Sequence, residues 1–260
     1  MARTGGTNLA EHLLLLTSFK QVLHEPFNRG RVFGSLLEEQ PFDTVQMRDK
    51  VANLFVTPRF IKYCVDAIPS RMARMLLQAT LSLPVAHLFL YRQDAQARLL
   101  SKWFAMNTGL WSADLARFKH ITGANEVDTQ RSLGQINPDF YHIELPVEEL
   151  VAHERFQRGL LSDIYQALQE HRAPVACLSF EDLYSGNVSV AKRQIVHALQ
   201  MLNGMGIVAI PDDEGIDNWL MNLRAEGDQA MRAYYQNFSN LDDLKQAVLA
   251  IPPFLGQLNH

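Results

Sequence analysis

The chain has 260 residues, 47% of them hydrophobic, which is enough to bury the core of one large α/β domain. Its formal net charge is −4, and its charges are mixed in sign without a long basic run, which argues against a nucleic-acid-binding tract. No apolar stretch reaches the roughly 18 residues of a membrane span, the first residues lack a signal-peptide layout, and the two cysteines stand far apart, so we expect a cytoplasmic protein.

Two kinds of element are predicted in the first part of the chain. Leucines and a phenylalanine at spacings of three and four predict a helix over 8–23, with Asn8 and Glu11 resembling a capping box at its start. Residues 53–56 are predicted as a short strand. Residues 85–91 are short, apolar and aromatic, and are predicted as a buried strand.

The remaining elements alternate between helix and strand. Helices are predicted over 95–107, 146–168 and 188–203, and a further strand over 174–180. This alternation predicts a parallel sheet that is covered by helices on both faces. In such sheets ligands bind at the carboxyl ends of the strands. A strand is expected to precede the glycine-rich segment at residues 3–8 but is not found there; either it lies upstream of Met1, or the sheet is built without it.

The glycine-rich segment leads into the first predicted helix. Glycine allows close approach of the backbone to a ligand, and the N–H groups and dipole of a helix start favour an anion. A phosphate or sulfate site is therefore a candidate, formed by Arg3, Thr4, Gly5, Gly6, Thr7 and Asn8. The alternative is an ordinary N-terminal tail with a helix cap. The segment lacks the Gly-Lys-Ser/Thr ending of a P-loop, which argues against a nucleoside triphosphate with Mg²⁺.

A second anion site is suggested at the end of the strand 85–91. Arg92 follows this strand, and Ser101 lies two turns into the next predicted helix. An arginine and a hydroxyl can bind one phosphate through charge-assisted hydrogen bonds. The alternative is a surface arginine beside Asp94 and an ordinary helix serine.

Acid–base chemistry is suggested by the segment that follows the first predicted helix. Glu25 is a candidate base for an acceptor hydroxyl, and His24 could take the same role at neutral pH. The alternative is a turn with two solvated side chains. No metal site is predicted, because the His153-Glu154 pair is not followed by the second histidine of a zinc helix.

In this order, the segments resemble sulfotransferases that use 3′-phosphoadenosine 5′-phosphosulfate (PAPS), in particular the bacterial trehalose and nodulation-factor enzymes. Residues 3–7 resemble their 5′-phosphosulfate loop, and Glu25-Pro26 resembles the acidic segment after their first helix. The stretch from Tyr91 to Trp111 resembles their block of an arginine, a serine nine residues later, and a tryptophan segment. Residues 179–183 resemble their Tyr-Glu-Asp-Leu strand end.

The resemblance implies a P-loop-like three-layer fold, with a central parallel sheet flanked by helices, in a single domain over residues 1–260. It implies that residues 3–8 bind the 5′-phosphosulfate of PAPS and that Arg92 and Ser101 bind its 3′-phosphate. Glu25, or His24 in its place, would be the catalytic base.

The acceptor implied by the resemblance is a small molecule or glycan, such as a carbohydrate or glycolipid hydroxyl. Thr108 and Trp111 would contact it. A peptide tyrosine is the alternative acceptor, and a non-catalytic nucleotide-binding member is the alternative to an enzyme. The chain departs from the family at Asn107, where a glutamine is frequent, and at residues 53–56, which lack the lysine of the family's Gly-x-Lys strand.

Overall fold

The computed structural model describes residues 5–37, 44–108, 144–225 and 238–254. The described helices are α1 (Gly6–Leu14), α2 (Thr44–Leu54), α3 (Ser70–Thr80), α4 (Ala95–Thr108), α5 (Val147–Glu170), α6 (Phe180–Tyr184), α7 (Val188–Gly204), α8 (Asp213–Ala225) and α9 (Leu241–Val248). The described strands are β1 (Val22–His24), β2 (Phe60–Lys62), β3 (His87–Tyr91) and β4 (Val175–Ser179). Short 3₁₀ turns occupy Gly34–Leu37 and Val65–Ala67.

The strands form two parallel pairs. β1 pairs with β2, and β3 pairs with β4, so that His24 lies opposite Lys62 and Tyr91 lies opposite Ser179. The expected α/β class with parallel strands is therefore confirmed. The expected large central sheet is not seen among the described residues, where each sheet has two strands.

Alternate residues of the strands contact two different hydrophobic clusters, as expected for strands covered on both faces. One cluster is built mainly from α2, α3 and the second half of α5, and strand residues in or against it include Ile61, Phe89 and Cys177. The other is built mainly from α1, α7 and α8, and strand residues in or against it include Phe60, Leu88, Leu90 and Leu178. This alternation places the carboxyl ends of β2, β3 and β4 between the two groups of helices.

Two predicted elements were wrong. The helix expected over 8–23 ends at Leu14, and the chain then bridges antiparallel from Thr17 to Val208 before forming β1. The strand expected over 53–56 is the end of α2 and a turn, with Val56 78% exposed, and the strand lies at β2 instead. Short apolar runs fit either type of element, and distant partners decided both cases.

The elements with long or unbroken apolar patterns were confirmed within a few residues of their predicted bounds. They are β3, α4, α5, β4 and α7. At the first helix, the expected capping box is replaced by a glycine turn, since Asn8 lies inside the helix and its side-chain oxygen accepts a hydrogen bond from Tyr184 at 2.8 Å.

The described residues divide into two compact units. The first comprises those within Met1–Gln93, Phe156–Gly227 and Pro253–His260, and the second those within Asp94–Arg155 and Asp228–Pro252. The second unit has its own hydrophobic cluster, which includes Leu99, Phe104, Phe238 and Leu244. Such units can belong to one domain, so the single domain over 1–260 stays a prediction. Within the described ranges, every helix is too short or too polar to cross a bilayer.

Candidate functional site

Helix α1 begins at a glycine turn that packs tightly against the residues after β4. Gly5 has a φ of 71°, and a Cβ on it would lie only 2.9 Å from Tyr184 Cε2 and 3.0 Å from Phe180 Cε2. Any larger residue is therefore disfavoured by both conformation and space. The Tyr184 hydroxyl lies 3.0 Å from the Gly5 carbonyl oxygen and 2.8 Å from Asn8 Oδ1, which ties the turn to α6. The N–H groups of the first helical turn, which have no intrahelical acceptor, start here.

Lys62, the last residue of β2, reaches this helix start. A Cβ on Gly6 would lie 3.2 Å from Lys62 Cε, so the lysine side chain passes directly over the glycine. Its Nζ lies 2.6 Å from Glu25 Oε1. The two side chains are 16% and 31% exposed, so the pair is accessible from solvent. Lys62 was not predicted as a site residue, because the short strand was predicted at residues 53–56 and β2 has only three residues.

Glu25 follows β1 and is held beside Lys62 by the pairing of the two strands. Its backbone N–H donates to the Lys62 carbonyl at 2.6 Å, and its φ is 49°, which a glutamate rarely adopts. Asn28 Nδ2 donates to Glu25 Oε2 at 2.7 Å. Cys64 Sγ lies 3.4 Å from both Glu25 Oε1 and Lys62 Nζ. One carboxylate, one ammonium and two weaker donors thus form a compact cluster.

The cluster keeps Glu25 and Lys62 charged. Burial raises the pKa of Glu25, but the hydrogen bond and charge of Lys62, with smaller effects of Cys64 and Asn28, outweigh it and leave this pKa lowered. Burial lowers the pKa of Lys62, and its interactions with Cys64 and Glu25 more than compensate. Burial raises the pKa of Cys64, which therefore stays a thiol at neutral pH. Glu25 is therefore the negative charge in this cluster that stabilises the protonated form of Lys62.

His24 contacts a different side chain from those that contact Glu25. Its Nε2 lies 2.5 Å from Glu11 Oε1 on α1. This contact joins the end of β1 to α1. The role of His24 as an alternative base stays a prediction.

Arg92 directly follows β3 and lies against the ring of Phe180. Its guanidinium carbon is 4.6 Å from the centre of the Phe180 ring, and its Nε is 3.7 Å from Glu181 Oε1. The residue is only 6% exposed. The same ring borders Gly5, so Phe180 contacts both the helix start and the arginine.

A second cation and a carboxylate support this strand end. Arg158 donates to the Gln93 carbonyl at 3.1 Å, and Glu181 Oε2 accepts from the Gln93 N–H at 2.9 Å. Burial lowers the pKa of Arg158, and the charge of Glu181 opposes that effect. The strand end therefore carries the guanidinium groups of Arg92 and Arg158, whose donors suit an anion.

The other predicted site residues are placed as follows. Ser101 is buried within α4, in the second unit, and its pairing with Arg92 on one phosphate stays a prediction. Thr7 is an exposed residue of the first turn of α1. Thr108 is the last residue of α4. Arg3, Thr4 and Trp111 lie outside the described residues.

Within the part of the chain that the structure describes, His, Cys, Asp and Glu side chains form no group of three suited to a metal ion. Comparisons of the chain with protein-family models, with curated proteins and with solved structures find no match.

Proposed function

We propose that this chain is a sulfotransferase that moves the sulfuryl group of PAPS to an acceptor hydroxyl of a carbohydrate or glycolipid. The observation that carries the proposal is the convergence of cationic and N–H groups in the first unit. Lys62 lies next to Gly6, and the Phe180 ring contacts both Gly5 and the guanidinium group of Arg92. A P-loop-like arrangement of this site is part of the proposal.

Each group has a role that its position supports. The N–H groups of the first turn of α1, with Lys62 beside them, would bind the 5′-phosphosulfate, since helix N-termini and ammonium groups both stabilise anions. Arg92 would bind the 3′-phosphate with its forked donors, and Ser101 would add a hydroxyl. PAPS supplies an activated sulfuryl group that is transferred without redox chemistry.

The proton of the acceptor hydroxyl needs a base, and the Glu25 carboxylate contacts Lys62, which lies next to the helix start. Its lowered pKa keeps it ionised at neutral pH, and it can accept the proton as the acceptor oxygen bonds to sulfur. Lys62 would then stabilise the negative charge that develops on the departing bisphosphate. Positioning and charge stabilisation dominate reactions of this kind.

Lys62 also bears on the alternative of a non-catalytic member. That alternative depended on the missing first strand and on residues 53–56, the predicted strand, which lack a lysine. Lys62 ends β2, the strand that follows α2, and reaches Gly6. A cation next to the helix start supports an enzyme over a binding module, and the peptide-tyrosine acceptor stays the alternative substrate.

Calorimetry with adenosine 3′,5′-bisphosphate and adenosine 5′-phosphate tests the proposal. We expect clear preference for the bisphosphate, and we expect Arg92→Ala to remove about 2–3 kcal/mol of its binding free energy because a charge-assisted contact is lost. Arg74→Ala, which removes an exposed arginine paired with Asp163, is the control and should leave binding unchanged. Equal affinity of the wild type for both nucleotides would overturn the assignment of PAPS.

A further inference from the structure

The turn that carries Glu25 contains an unusual combination of features. The N–H of Asn28 donates to the Glu25 carbonyl at 3.1 Å and closes the turn. Glu25 itself is in the left-handed backbone region, with φ 49°, which is unfavourable for a residue with a side chain. Strained backbone of this kind is retained where the surrounding structure needs the side chain in one place.

The side-chain amide of Asn28 has one hydrogen-bond partner among the described residues. Its Nδ2 donates to Glu25 Oε2 at 2.7 Å. A carboxylate only accepts hydrogen bonds, so the amide nitrogen must face Glu25 and the amide oxygen must face away. That oxygen is buried and has no partner in the described part of the chain. A buried carbonyl oxygen without a partner is unfavourable, so this amide is a poor choice for stability alone.

The two carboxylate oxygens of Glu25 have different partners. Oε1 is next to Lys62 and Cys64, and Oε2 accepts from Asn28. With Lys62 alone, one hydrogen bond would hold one oxygen, and the plane of the carboxylate could still turn. We propose that Asn28 is a positioning residue, which fixes the plane of the Glu25 carboxylate by donating to one oxygen while Lys62 donates to the other. The assignment of Glu25 as base, and with it the catalytic consequence, rests on the proposed function.

Asn28→Leu, which replaces the amide by an apolar side chain of similar size, tests the proposal. The pKa of Glu25 is measured by NMR on protein labelled with ¹³C in the glutamate carboxyl groups, with Glu25→Gln to assign the signal. We expect this pKa to rise, because the ionised form loses a donor. The midpoint of thermal unfolding at neutral pH should change little, because removal of the buried unpaired oxygen offsets the loss of a donor to the ionised Glu25.

In sulfotransfer from PAPS, kcat should fall about tenfold, the loss expected for one charge-assisted hydrogen bond in the transition state, with little change in KM for PAPS. The acid limb of the pH profile should move to higher pH with the pKa of Glu25. Asn187→Leu is the matched control. It removes an asparagine that caps α7 through Ser189, so it should lower the unfolding midpoint and leave the pKa of Glu25 unchanged.

An unchanged pKa of Glu25 in Asn28→Leu would overturn the positioning role. A fall in the unfolding midpoint as large as that of the control would also overturn it, because Asn28 would then be a structural residue. The NMR titration needs no turnover. If the wild type transfers no sulfuryl group, the proposed function is refuted. If Asn28→Leu still raises the pKa of Glu25, the positioning role stays supported.

Discussion

Two ion pairs, one in each unit, contrast in burial. Lys62 and Glu25 form a pair in the first unit that is 16% and 31% exposed, next to the start of α1. Arg98 and Glu154 form a pair in the second unit in which both side chains are 0% exposed. A ligand can reach the first pair, whereas the second is enclosed by protein. Two pairs of the same chemistry therefore have different access to solvent, and we expect them to contribute differently to stability.

The largest expected effect is on the buried pair. Glu154→Gln leaves the Arg98 cation buried without its counter-charge, and we expect a loss of about 3–5 kcal/mol in the free energy of unfolding, measured with urea. The double variant Arg98→Met with Glu154→Leu removes both charges and should be much closer to the wild type. If the double variant is as unstable as the single one, the pair is not held by charge compensation.

The accessible pair should behave in the opposite way. Lys62→Met keeps the apolar stem, and Glu25 retains Asn28, Cys64 and solvent around it, so we expect a stability loss of roughly 1 kcal/mol or less. Affinity for adenosine 3′,5′-bisphosphate should fall about tenfold, as measured by calorimetry, because a cation at the helix start is lost. Lys192→Met, which removes a lysine paired with Asp217 at 2.9 Å, is the control and should bind normally. A large loss of stability with unchanged binding would place Lys62 with the structural pair.

The smallest effect extends the comparison to the backbone. Among the described non-glycine residues, Glu25 and Arg172 have positive φ values, 49° and 54°. Arg172 is exposed after α5, where Ala173 N–H donates to the Leu168 carbonyl in the pattern of a helix end that favours glycine. Arg172→Gly should therefore raise the free energy of unfolding by roughly 0.5–1 kcal/mol in thermal or urea denaturation. A destabilised variant would show that the Arg172 side chain, unlike its backbone, contributes to the fold.

The candidate site was predictable where its residues follow recognisable local patterns. The glycines at the start of α1, Glu25 after β1, and Arg92 after an apolar strand were all identified from their neighbours in the chain. Lys62 was not, because its strand has only three residues and no distinctive pattern. Asn28 was not, because its importance depends on a hydrogen bond to Glu25 and on a buried oxygen, which no spacing in the sequence reveals.

By itself, the sequence determined the elements that have long or continuous apolar patterns, such as α5, α7 and β4. The spacing of apolar residues along such an element follows the period of the helix or strand, so neighbouring residues suffice to predict it. Only the tertiary structure decided that residues 22–24 form a strand, since that choice depends on pairing with β2, nearly forty residues away. The same pairing brings Lys62 to Glu25, and packing alone encloses Arg98 with Glu154. Contacts between distant parts of the chain carry no local signal, and they are the contacts that build the candidate site.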